Sequence, residues 1–160
     1  MEQTRRTYLR ALGAVGACGL AGCGGGNQTS SAGTPWPTVE TEATFDGYLT
    51  PTANYDGTVA DATGVERPTV TVGAAGNGGS RAYAPPAIAV DPGTTVVWQW
   101  TGAGGAHNVV SERTAFESGL VTAADHTFEY AFESTGVYKY YCTPHRRNGM
   151  KGVVAVGDVL

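Results

Sequence analysis

The chain has 160 residues, 14 acidic against 10 basic, for a formal net charge of −4. Its first 22 residues carry Arg5, Arg6 and Arg10 against Glu2, a net of +2, so removing them takes −4 to −6. That balance excludes the concentrated basic face a nucleic-acid binder needs, and the length suits one domain once a leader and a linker are set aside.

Residues 1–22 read as an export signal. Arg5-Arg6 followed by Tyr8-Leu9 is a twin-arginine pattern. The apolar stretch 11–20 has the length of a signal core, far short of the ~20 residues that span a bilayer. Leu20-Ala21-Gly22-Cys23 has the form of a lipoprotein cleavage box, which makes Cys23 the lipidated first residue of the mature chain. Val15-Gly16-Ala17-Cys18 is a second match, but cleavage there leaves a very short apolar core. The expected location is outside the cell, anchored by lipid to the outer face of the cell membrane. Residues 23–44, rich in Gly, Ser, Thr and Pro, have no apolar period and read as a flexible linker. Trp36 between two prolines has no account in the sequence. Asn27-Gln28-Thr29 fits a glycosylation sequon, a pattern common by chance.

From Phe45 the pattern changes. Short runs of Val, Thr, Tyr and Trp alternate with Gly, Pro and Asp, which predicts strands at 69–72, 88–90, 95–101, 108–110, 127–132, 136–141 and 153–156. Val96, Trp98 and Trp100 share one strand face, and Thr95, Val97, Gln99 and Thr101 the other. Asp91-Pro92-Gly93-Thr94 is a turn, with Pro presetting φ and Gly freeing it. Seven to eight such strands, with no helical period beyond a turn or two, predict an all-β fold: an antiparallel Greek-key β-sandwich over residues 45–160.

The chemistry concentrates in Cys142-Thr143-Pro144-His145-Arg146-Arg147-Asn148-Gly149-Met150. With His107, placed after a Gly-rich loop, this stretch offers a thiolate, two imidazoles and a thioether. A Cys-His-His set with a weak axial Met is the ligand set of a mononuclear blue-copper electron-transfer site. Zinc is the rival metal, but Met is a poor zinc ligand and a structural zinc site uses more Cys or His. Of three cysteines, Cys18 lies in the signal and Cys23 carries lipid, so Cys142 is alone in the domain and forms no disulfide there. A metal explains its presence, and a single Cys excludes a dinuclear site with two bridging cysteines. Alternate strand ends of a sandwich meet at one edge, which lets His107 and Cys142 approach. Gly149 and Gly152 let the loop turn back. Pro144 stiffens it and removes one N–H donor near the sulfur. Cys-x2-His, Met150 or His107 alone is a bland feature; their joint spacing is not. His126 has no place in the set and reads as a surface histidine.

Four stretches carry a resemblance: Asn54-Tyr55-Asp56-Gly57, Trp98-Gln99-Trp100-Thr101-Gly102, His107-Asn108-Val109-Val110 and the 142–152 loop. Over about residues 45–160 the chain resembles the halocyanins, membrane-attached blue-copper proteins of halophilic archaea, and the loop is also similar to plastocyanin. The resemblance implies a cupredoxin fold binding one copper ion through His107, Cys142, His145 and Met150. It implies an electron port at the outer edge of His145. Asn108 matches a residue that ties the two ligand loops by hydrogen bonds, and Tyr141 an aromatic offering a second route. Arg146 and Arg147 depart from a wholly apolar rim and set two positive charges beside the port. The implied partners are redox proteins at the membrane surface, a quinol-oxidising complex or a terminal oxidase, met by a monomer. Two other classes stay open. A copper carrier trades metal through Met-rich or paired-Cys sites, and here only Met1 and Met150 occur. A copper enzyme needs a second site, for which three histidines leave too few imidazoles.

Overall fold

A computed structural model describes residues 36–41 and 45–160. The expected export signal, Cys23 and Asn27 lie outside the described residues. The strands, in chain order, are β1 (Thr38–Glu40), β2 (Thr58–Asp61), β3 (Thr69–Gly76), β4 (Gly79–Ala84), β5 (Ala87–Val90), β6 (Thr94–Trp100), β7 (Val110–Ser111), β8 (Thr127–Phe132), β9 (Gly136–Tyr141) and β10 (Lys151–Val156). They form two sheets, one ordered β1-β2-β5-β10-β9-β7 and one ordered β4-β3-β6-β8. No helix among the described residues is long and apolar enough to cross a membrane.

The all-β sandwich agrees with the sequence reading, with one refinement: the sheets are mixed. Pairs β2–β5, β5–β10 and β3–β6 are parallel, the rest antiparallel. Side-chain alternation has period two in either direction, so it does not report strand polarity. Strands β1, β2 and β4 are additions to the predicted set. β1 lies within the stretch read as linker; Thr38 to Glu40 pair with Ala60 to Thr58. Trp36 packs against the core, which gives this tryptophan its role.

Burial follows the chemistry of the strands. In β6, Thr94, Val96, Trp98 and Trp100 face inward, as their alternation predicts. The rings of Phe116, Phe128, Phe132 and Tyr140 surround Trp98 at centroid distances of 5.5, 5.7, 6.3 and 5.4 Å. Each large apolar side chain so buried contributes roughly 1.5–3 kcal/mol. The parallel neighbours β5 and β10 are buried on both faces and read as continuous apolar runs. Ile88, Val90, Val154 and Val156 join the central core. Ala87, Ala89 and Val153 belong to a second cluster, covered by Phe45 and Leu49. The segment after residue 44 is thus a lid on the outer face of this sheet. It folds back in tight turns, with Tyr48 N–H on Phe45 O at 3.1 Å and Thr52 N–H on Leu49 O at 2.9 Å.

Candidate metal centre

The β9–β10 ladder sets the first part of the site. Tyr141 pairs with Lys151, and one step outward the Cys142 N–H donates to Met150 O at 3.0 Å.

 
Within the loop, His145 N–H reaches Cys142 O at 3.3 Å, and Met150 N–H reaches His145 O at 3.2 Å. A 3-10 turn, Arg146–Asn148, lies between and ends on Gly149 at φ 93°. That backbone angle favours glycine. His107 arrives from the other side, its N–H and carbonyl paired with Val121 at 2.9 Å each.

Three ligand atoms converge. Cys142 Sγ lies 3.7 Å from His107 Nδ1 and 3.5 Å from His145 Nδ1, and the two Nδ1 atoms stand 3.1 Å apart. All lie within 4.8 Å of one another. A point equidistant from the three sits about 2 Å from each, the length of a metal–imidazole bond and slightly under a metal–thiolate bond. Met150 is fully buried in the same core cluster as Cys142. The donor set of one thiolate and two imidazoles, with the Met150 thioether buried in the same cluster, therefore fits a single copper ion.

The protonation pattern supports that fit. His107 Nε2 lies 2.8 Å from the carbonyl of Ala103. A carbonyl only accepts, so Nε2 carries the proton and Nδ1 offers its lone pair inward. Burial, then the neighbouring His107 and then Arg81 hold His145 below its usual pKa, which favours its neutral, ligating form. Burial pushes the Cys142 thiol up, while the N–H groups of Asn108 and His145 that reach it pull it down. Pro144 brings no N–H, yet the sulfur is still met by these two donors.

The surrounding contacts fix the ligands. Asn108 Nδ2 donates to Thr143 Oγ1 at 3.0 Å and its Oδ1 accepts the Thr143 N–H at 2.7 Å, joining the two ligand loops. The Trp100 indole N–H donates to His107 O at 3.1 Å, and the Tyr83 hydroxyl to Asn108 O at 2.5 Å. Thr101 Oγ1 donates to Gly73 O and accepts the Ala103 N–H, which holds the carbonyl that orients His107. A Cβ on Gly104 would stand 2.0 Å from Ser80 O and 2.9 Å from His107 Nε2, so only glycine fits there. Sequence reasoning saw in residues 101–106 only a Gly-rich loop; the acceptor is a backbone carbonyl and has no residue-type signature.

The remaining candidates are placed as follows. His107 and Cys142 are 1% and 0% exposed, while His145 is partly exposed and Pro144 fully on the surface. Tyr141 is half-buried with the Arg146 guanidinium 4.1 Å from its ring centre. Arg146 also pairs with Glu112 at 2.7 Å, so its charge is shared along this flank, while Arg147 is exposed. His126 is no free surface histidine: its ring meets Trp100 edge-on at 4.9 Å, outside the ligand group.

Residues 70–157 match the family of copper binding proteins, plastocyanin/azurin family. A halocyanin from Natronomonas pharaonis is 45% identical over 160 residues, covering 96% of this chain and 97% of that protein. A plastocyanin from Scenedesmus fuscus is 30% identical over 97 residues, covering 54% of this chain and 98% of that protein. A solved structure of a purple cupredoxin from Nitrosopumilus maritimus superposes with a TM-score of 0.48 at 31% identity, covering 56% of this chain and 99% of that one.

Proposed function

The chain belongs to the plastocyanin/azurin family of copper-binding proteins, and from that membership we propose a membrane-tethered carrier of single electrons within a respiratory chain. As a blue-copper cupredoxin it is an electron carrier, not an enzyme, with one copper ion as cofactor. The residues that would hold copper in this reading are His107, Cys142, His145 and Met150. The observation that carries it is the triangle of Sγ and two Nδ1 atoms, 3.1 to 3.7 Å on a side. Copper, when bound, supplies the one-electron couple Cu(I)/Cu(II).

The chain's own residues supply rigidity and access. Burial of His107, Cys142 and Met150 excludes water, and the Asn108–Thr143 and His107–Ala103 hydrogen bonds would hold the ligands against rearrangement when copper gains or loses an electron. Such an enclosed set suits retention of a metal better than its hand-over, which favours a redox role over a copper carrier. His145 alone of the three clustered ligands reaches solvent, and its outer edge is the port in this reading. Ala103, Gly104, Gly105 and Pro144 are exposed at this end, and Leu120 is 59% exposed beside Val121, the partner of His107. A partner meets little charge there, and Arg146 and Arg147 flank the contact. The lipid on Cys23 anchors the domain to the outer face of the cell membrane; two chains on one glyceryl-Cys hold stably where one is marginal. The donor and acceptor are redox proteins at that surface, a quinol-oxidising complex and a terminal oxidase.

Titrating the purified protein with Cu(II), then ascorbate, tests the reading. An intense blue thiolate-to-copper band that bleaches and returns is expected. Tight Zn(II) binding without that band would withdraw it.

A further inference from the structure

We propose that residues 48–54 form a brace that fixes the loop bearing His145 and Met150, with Thr52 as its positioning residue. This rests on the ligand assignment above. The brace lies upstream of the family match at 70–157.

Its own anchor is apolar. Leu49, 1% exposed, packs with Phe45 on Val59, Ala87, Ala89 and Val153. The Tyr48 hydroxyl lies 2.9 Å from Tyr140 O and 3.0 Å from Glu112 Oε1. From this base the chain turns toward the metal loop. Thr52, 3% exposed, donates its hydroxyl to Gly149 O at 2.9 Å. The backbones touch: a Cβ on Gly149 would stand 2.1 Å from Pro51 O.

The grip falls on one peptide group. Its oxygen, Gly149 O, is held by Thr52, and its N–H, on Met150, is held by His145 O at 3.2 Å. With both ends pinned, the planar Gly149–Met150 peptide cannot rotate, and the direction in which Met150 leaves the backbone is set. A thioether would bind copper weakly, so where Met150 would stand against a bound ion follows from what holds its backbone.

The same segment reaches the other ligand loop. Ala53 N–H donates to Asn77 Oδ1 at 2.8 Å, and Asn77 Nδ2 to Arg81 O at 2.7 Å. Asn54 Nδ2 donates to Tyr83 O at 2.8 Å, and Tyr83 in turn holds the carbonyl of Asn108, next to His107. One short stretch thus references both halves of the site to each other.

The test compares Thr52→Val, which keeps shape and loses the hydroxyl, with Thr52→Ser, which keeps the hydroxyl. In the metal-free full chain, Thr52→Val should speed amide exchange at Met150 roughly tenfold, the loss of one hydrogen bond, while Val154 in the core is unchanged. In the copper-loaded chain it should shift the reduction potential, and Thr52→Ser should restore both values. Wild-type exchange and potential in Thr52→Val, or uniform acceleration that includes Val154, overturns the brace. Should the valine variant not fold, Thr52→Ala carries the same comparison. Failure of the ligand assignment is distinct: the wild-type chain itself then lacks the blue band, while the exchange comparison still stands.

Discussion

The side-chain amide of Asn108 holds Thr143 at both ends, its Oδ1 on the Thr143 N–H at 2.7 Å and its Nδ2 on Oγ1 at 3.0 Å. Each residue directly follows a ligand, His107 or Cys142. The two halves of the site, 35 residues apart in sequence, are therefore latched one bond step from the metal position.

Replacing the buried Asn108 with Ala removes both bonds and leaves the Thr143 N–H and hydroxyl without their partner. A loss of about 2 kcal/mol is expected, with a melting temperature lower by several degrees. Copper should also dissociate faster. Unfolding curves of metal-free and copper-loaded protein check this, and equal stability of variant and wild type would refute it.

The thiolate and thioether have separable roles. Cys142→Ser should abolish the blue band, because no sulfur remains for the charge-transfer transition. Met150→Gln should keep copper and change the potential, as a different axial donor does. Full colour in the serine variant would sink the ligand assignment.

Arg81 sets a positive charge near enough to depress the protonation of His145. The same field favours the less positive state of the site, Cu(I). Arg81→Gln should lower the reduction potential by an amount on the order of 1 kcal/mol, about 40 mV for one electron. The shift should shrink as salt rises. Voltammetry at low and high ionic strength measures it; an upward shift would contradict the sign.

Acid stability reports two turns. Asp56 is held below its usual pKa by the Thr58 hydroxyl and N–H, and Asp61 by those of Thr63. Depressed folded-state values mean that these bonds stabilise the fold above the unfolded carboxylate range, near pH 4, and that the contribution disappears as pH falls through the folded values. Both carboxylates are largely solvent-facing, so each contributes less than about 1 kcal/mol. Asp56→Ala and Asp61→Ala should lower stability at pH 7 but not at pH 2. A variant equally destabilised at both values would point to a cause other than the carboxylate charge.

The proposed lipid anchor has its own check. Cys23→Ala should release the protein from membranes into the soluble fraction. Unchanged membrane retention would contradict the tether.

Residue chemistry alone picked out the proposed ligand set. Cys142, His145 and Met150 fall within one loop, where side-chain identity and spacing carry the signal, and the alternation in β6 set which of its faces points inward. The class of fold followed from the same alternation. Tertiary structure decided strand polarity, the short strands β1, β2 and β4, the Ala103 carbonyl that orients His107, and the contact of Thr52 with Gly149 across 97 residues. The division has a physical cause. Periodicity and ligand chemistry are local properties of side chains, whereas a backbone carbonyl is the same on every residue and becomes specific only through the position to which folding brings it.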